Sequence, residues 1–361
     1  METIFRDLCV LEFANVLAGP SVGMFFSELG ASVIKVENKL TGGDLTRAWK
    51  LPAEDPALPL CAYYASVNWG KESHRMDLNN TEDRKKIQEW VSKADIVISN
   101  FRKREAIKFG LTYAEIKKLN SSVIYAHITG YGEEDDRAAF DLLLQAESGF
   151  MSMNGTELTG PVKMPVAMID IMAAHQLKEA ILIALLQRMK KGTGAYVSVS
   201  LFETAISSLA NQASNYLQAG HVPGLTGSLH PNIAPYGEAL LCSDGKKVIL
   251  AVGNDKQFLN LCKVLKAEEL GTDKRFINNR ERVINRVELN RLLDLAAGSW
   301  NSAQLKKELE QLGVPAGIVH NMADVFADSA AKNLILTENR EGMTMKCVKS
   351  IAFHLDFGIN S

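Results

Sequence analysis

The chain has 361 residues, of which 47% are hydrophobic and 23% charged, enough apolar material to bury a large core and to exclude a disordered chain. A formal net charge of −2, with acidic and basic residues interspersed, excludes the broad positive field of a nucleic-acid binder. No segment reaches the ~18 uninterrupted apolar residues of a membrane-spanning helix, and the start of the chain, with Glu2 and Asp7, lacks a signal-peptide layout; no membrane partner and a cytoplasmic location are expected.

Short apolar strands alternate with amphipathic helices from residue 1 to about 200. Strands are expected at Leu8 to Phe13, Val33 to Glu37, Ile96 to Ser99, Val123 to Ile128 and Tyr196 to Leu201, and helices at Val22 to Leu29, Glu82 to Ser92 and Thr112 to Leu119. The pattern predicts an α/β fold with a Rossmann-like parallel sheet covered on both faces, whose ligands sit beyond the carboxyl ends of the strands. After the first strand come Gly19, which permits close approach of backbone to a ligand, and Pro20, suited to a helix start whose free N–H groups can face an anion. Residues 166 to 191 read as one long helix ending in Lys190, Lys191 and Gly192, with Asp170 in its first turn. There a carboxylate serves either to cap its own helix or to do chemistry.

A second pattern follows Gly220. Ser243, Asp244 and Gly245 sit between apolar runs from Glu238 to Val252 and predict a hairpin. Helical patterns follow at Lys256 to Leu265, Val283 to Ala297 and Ala303 to Leu312, then strands at Val314 to His320 and Thr344 to Phe357. The expected organisation is a large Rossmann-like α/β domain over 1–200, a linker over 201–224, a smaller α+β domain over 225–330 and a return to the large domain over 331–361. The five cysteines never form a CxxC pair and read as reduced thiols; the seven histidines show no ligand spacing, so no bound metal is expected. The GxGxxG of a nucleotide-dependent dehydrogenase is missing after the first strand.

Taken in order, LEFANVLAGPSVGMFFSELGASVIKVE (Leu11 to Glu37), NWGKES (Asn68 to Ser73), ADIVISNFR (Ala94 to Arg102), FDLLLQAESGFM (Phe140 to Met151), PVAMIDIMAAH (Pro165 to His175), HPNIAPYG and GVPAGIV resemble the class III CoA-transferase family, also called CaiB/BaiF, over nearly the whole chain. The family includes formyl-CoA, carnitine and succinyl-CoA transferases and 2-methylacyl-CoA racemases. The resemblance implies an enzyme that carries CoA between carboxylic acids, with acyl-CoA as substrate and no permanently bound cofactor. It makes Asp170 the nucleophile, working through aspartyl anhydride and aspartyl-CoA thioester intermediates. Val16, Leu17 and Ala18 match the loop near the nucleotide and thiol end, and Asn100 and Phe101 a pair contacting adenosine and pantetheine. Lys71 and Lys108 match basic positions around the phosphates. Lys39 stands in for an arginine there, without its bidentate fork.

Racemisation needs two proton-transfer groups on opposite faces of one carbon. In the racemase branch the first is a histidine at the position of Phe140, which cannot shuttle a proton; His127 and His175 are the nearest histidines. Transfer is therefore favoured over racemisation, with a non-catalytic CoA-binding relative as the other alternative. Asp141 fits a structural role as well as a catalytic one. Gly220 to Asn232 lacks the glycine run of the formyl-CoA branch, which leaves dicarboxylates, carnitine-like acids and aromatic acids open as acceptors. His230 and Asn232 are candidate acceptor contacts or parts of a turn. The family also implies an interlocked homodimer, and a proline-rich segment and C-terminal helix beyond the position of Ser361, whose absence is expected to weaken stability or open the site.

Overall fold

The computed structural model describes residues 4–356, so Phe357 of the last expected strand and the final residues lie outside the described residues. The chain divides into two compact units. One comprises residues 4–150, 163–214 and 330–356, the other 151–162 and 215–329.

The first unit is built on six parallel strands: β1 (Cys9–Glu12), β2 (Ser32–Asn38), β3 (Glu72–Met76), β4 (Ile96–Ser99), β5 (Ile124–Thr129) and β6 (Ala195–Ser200), in the order β3-β2-β1-β4-β5-β6. Val10, Leu11, Ile96, Val97 and Ile98 are wholly buried because helices cover both faces of the central strands. On one face, α1 (Ala18–Glu28) supplies Val22 and Phe26. On the other, Ile87, Val91 and Ile116 pack against Leu11, Phe13 and Val97. β3 was not expected. Its sequence ESHRM has no apolar alternation, as suits an edge strand with a single neighbour.

Two further helices position the site. α2 (Asp141–Glu147) follows β5, and α3 (Met168–Lys191) buries Ala173, Leu177 and Ile181 in the same core as α1. Strand order reverses between β1 and β4, which opens a crevice at their carboxyl ends. Gly19 is needed where β1 turns into α1, since a Cβ there would overlap the Ala14 methyl. The hairpin Ile335–Arg340 with Met343–Val348 also belongs to this unit, and Met345 packs with Leu60 and Tyr64. Residues 201–224, expected as a linker, carry the helices Leu201–Ser207 and Ala210–Ala219, and Leu201 and Ala205 are buried in the core.

The second unit has an antiparallel sheet in the order Ala316–Ile318, Lys247–Ala251, Tyr236–Leu241, around a core that includes Val248, Leu250, Phe258, Leu261, Leu289 and Leu305. The helix expected over Val283 to Ala297 is two helices, Asn279–Ile284 and Arg286–Ala297. The break follows buried Arg282, which donates to Ala234 O at 2.8 Å, Phe276 O at 3.1 Å and Asp255 Oδ1 at 2.6 Å.

Candidate active site

A cleft of about 1190 Å³ lies along the carboxyl ends of the first unit's strands, lined by the segments after β1, β2, β4 and β5 and by one face of α3. Where the strand order reverses, Asn15 and Asn100 bind each other. Asn15 N–H donates to Asn100 Oδ1 at 3.3 Å, and Asn100 Nδ2 donates to Asn15 O at 3.1 Å. This pair ties the Val16–Leu17–Ala18 loop to Phe101, and all six of these residues line the cleft. Val16 holds a left-handed backbone, φ 73°, rare for a β-branched residue. Its N–H faces Asp44 Oδ1 at 3.5 Å, and buried Asp44 is in turn held by Lys35 at 3.0 Å.

Asp170 is the third residue of α3 and only 7% exposed, yet it lines the cleft. The structure separates the two roles that its position allowed. The start of α3 is capped from another helix: Asp141 Oδ1 accepts the N–H of Ile169 at 2.8 Å and that of Asp170 at 3.4 Å, while its Oδ2 accepts from Gln145 Nε2 at 2.6 Å. No hydrogen bond among the described residues engages the Asp170 carboxylate itself. Burial first, and the Asp141 charge second, push its pKa up to about 7. Tyr63, also in the lining, is pushed up to about 12 by burial and then by the charges of Asp170, Asp141 and Asp44, so its phenol stays protonated at neutral pH.

Of the lysines expected at the CoA phosphates, Lys108 lines the cleft. Lys71 requires correction. Its side chain is buried beneath α1, where it pairs with Glu12 at 2.9 Å and donates to Pro20 O at 2.7 Å and Asn68 Oδ1 at 3.1 Å, outside the cleft lining. Glu12, set inside an apolar strand, demands buried cations, and Lys35 and Lys71 supply them. Lys39 is exposed in the turn Lys39–Thr41 and does not line the cleft, although its neighbours Asn38 and Leu40 do. Arg102, Arg137, Lys163 and Lys178 are lining cations that sequence reading missed, and Arg137 and Lys163 sit in irregular segments that carry no periodic signal. Phe140 lines the cleft immediately before Asp141, and His127 is held by Phe101 O at 2.9 Å. In the second unit, His230 Nδ1 accepts from Asn232 N–H at 3.1 Å, forming the turn around Pro231. Among the described residues, no group of three or more His, Cys, Asp or Glu side chains converges as a metal site, and no helix is long and apolar enough to cross a membrane.

Residues 5–357 match the model of CoA-transferase family III. The chain is 39% identical to a succinate–glutarate CoA-transferase of Agrobacterium fabrum, over 88% of this chain and 80% of that protein. It is 33% identical to the human succinyl-CoA:glutarate CoA-transferase, over 88% and 72%. The crystal structure of a CAIB/BAIF family protein from Brucella suis superposes with a TM-score of 0.84 at 38% identity, covering 98% of this chain and 93% of that one.

Proposed function

The chain belongs to CoA-transferase family III and is a CoA-transferase, and we propose that it moves CoA from an acyl-CoA to a carboxylic acid through the carboxylate of Asp170. The observation that carries this reading is the contrast between two neighbouring acids: Asp141 is consumed by capping α3, whereas Asp170 lies at the cleft with no hydrogen bond to its carboxylate among the described residues.

In this reading ionised Asp170 attacks the thioester carbonyl, giving an aspartyl anhydride and CoA thiolate. The thiolate attacks the aspartyl carbonyl, releasing the first acid and leaving an aspartyl-CoA thioester. The second acid attacks that thioester to form a new anhydride and thiolate. Attack of the thiolate on the new acyl carbon then yields the new acyl-CoA and regenerates Asp170. Water would hydrolyse each intermediate, so the burial of Asp170 is an advantage here. In this reading the Val16–Ala18 loop, Asn100 and Phe101, which line the cleft, receive the pantetheine and nucleotide, and the lining cations Lys108, Arg102 and Arg137 partner the phosphates. The relatives named for succinate and glutarate support dicarboxylic acids as donor and acceptor.

A racemase is disfavoured because Phe140, at the cleft beside Asp141, has no proton to exchange. The reading includes a homodimer, tested by the mass of the particle in solution. The chemistry is tested by incubation with succinyl-CoA, trapping with hydroxylamine or borohydride, and mass spectrometry of the peptide bearing Asp170. Modification at Asp170 that is lost in Asp170→Ala is expected; CoA binding without modification would overturn the mechanism.

A further inference from the structure

Below Asp170, the cleft continues along α3 past Ala174 and His175 to Lys178, where it adjoins a side chamber of about 250 Å³. Lys178 and Ser350 line both spaces. Lys178 is 6% exposed, and among the described residues no hydrogen bond or ion pair holds its ammonium group. The Phe25 ring, 5.2 Å from Nζ, gives its charge partial support. Glu28, the acid whose charge reaches Lys178, accepts the N–H of Ser350 at 2.7 Å. The Ser350 hydroxyl is itself buried with no hydrogen-bond partner. An ammonium without a protein acceptor and a buried, unpartnered hydroxyl thus line the same end of the cleft, where an entering acceptor would serve both.

We infer that Lys178, with the Ser350 hydroxyl, binds the far carboxylate of a dicarboxylic acyl group whose near carboxyl carbon reacts at Asp170. This rests on the proposal that Asp170 exchanges CoA between acids. The spacing is suitable. Eight residues of α3 separate Asp170 from Lys178, a rise of ~12 Å. Both side chains lean toward the helix N-terminus, so the longer lysine shortens that distance by only about 3 Å, to about 9 Å. What remains accommodates a C4 or C5 diacid, whose carboxyl carbons lie ~4–5 Å apart. Burial lowers the Lys178 pKa to about 8, which leaves the ammonium charged at neutral pH and poorly solvated, and so a strong partner for an entering anion.

The experiment compares glutarate with valerate, and succinate with butyrate, as acceptors from succinyl-CoA, in the full chain and in Lys178→Met, which keeps the side-chain length. The intact protein is expected to favour each diacid over its chain-matched monoacid by at least tenfold in kcat/KM. Lys178→Met is expected to reduce that ratio at least tenfold, through a raised KM for the diacid. Equal use of the two acids by the intact protein overturns the inference whatever the variant does, and so does a ratio that survives in a folded Lys178→Met. An adduct at Asp170 with no turnover of any diacid overturns this inference alone. Absence of both adduct and turnover overturns the transfer chemistry as well.

Discussion

Asp141 caps the helix that carries Asp170, accepting the Asp170 N–H itself at 3.4 Å and that of Ile169 at 2.8 Å, so one acid sets both the position and the charge environment of the other. Replacing Asp141 by alanine removes the cap, for an expected loss of about 0.5–2 kcal/mol in unfolding free energy. Asp141→Asn keeps an acceptor oxygen but removes the negative charge. It is expected to be the more stable of the two variants and to move the acidic limb of the pH–rate profile to lower pH. The limb stays above the usual aspartate range, because burial is the larger cause of the raised pKa of Asp170. Denaturant titration and pH–rate profiles of both variants check this.

The raised pKa of Asp170 also couples activity to stability in opposite senses. Between the ordinary aspartate pKa and about 7, the folded chain holds a proton that the unfolded chain has released, so stability falls as pH rises through this window and is level above it. The fraction of Asp170 that is ionised, the form that attacks in the proposed mechanism, rises over the same range. From about pH 4 to about pH 8 the intact protein is therefore expected to lose on the order of a few kcal/mol more stability than Asp170→Asn, which has no proton to release. Thermal melts of the two proteins across that range measure the difference. Parallel pH dependences would mean that the folded carboxyl titrates near its ordinary value.

Lys71 and Lys108 resemble each other in sequence reading but differ in placement, and their variants should differ accordingly. Lys71→Met leaves Glu12 with Lys35, whereas Glu12→Ala leaves buried Lys71 without its carboxylate and Lys35 with Asp44 alone. The expected losses are about 1–3 kcal/mol for the first and about 3–5 kcal/mol for the second. Lys108→Ala is expected to be neutral in stability and to weaken CoA binding severalfold. Denaturation midpoints and equilibrium binding of CoA distinguish the two lysines. A CoA affinity lost in Lys71→Met at unchanged stability would return that residue to the phosphates.

What was legible in the sequence follows from the physics of each element. β1, β4 and β5 are short apolar runs because both of their faces are covered, and α3 announces itself by length and by its closing Lys190, Lys191 and Gly192. β3 was invisible because an edge strand needs no apolar pattern, and residues 151–162 joined the second unit without any local signal. Asp170 is singled out by its surrounding motif, and it lines the cleft. The reason its carboxylate is left free was not legible, because its helix is capped by Asp141, 29 residues earlier in the chain. Lys71 was misplaced for a similar reason: its partner Glu12 lies 59 residues away.

Val16 offers a test of how far the loop proposed to receive CoA is prepared in advance. Its left-handed backbone, φ 73°, is unfavourable for a β-branched residue, and it persists beside an Asp44 fixed by Lys35 and by the Thr46 N–H at 3.0 Å. Glycine adopts this conformation freely, so Val16→Gly relieves local strain while adding freedom to the unfolded chain and to the loop. The two effects on stability oppose each other, and the melting temperature is expected to change little. The loop, however, would have to be ordered each time substrate binds, and the KM for acyl-CoA is expected to rise severalfold with kcat less affected. Steady-state kinetics with a single acyl-CoA decide the matter. A KM unchanged in Val16→Gly would mean that the Asn15–Asn100 pair alone holds the loop, and that the strain at Val16 contributes nothing to binding.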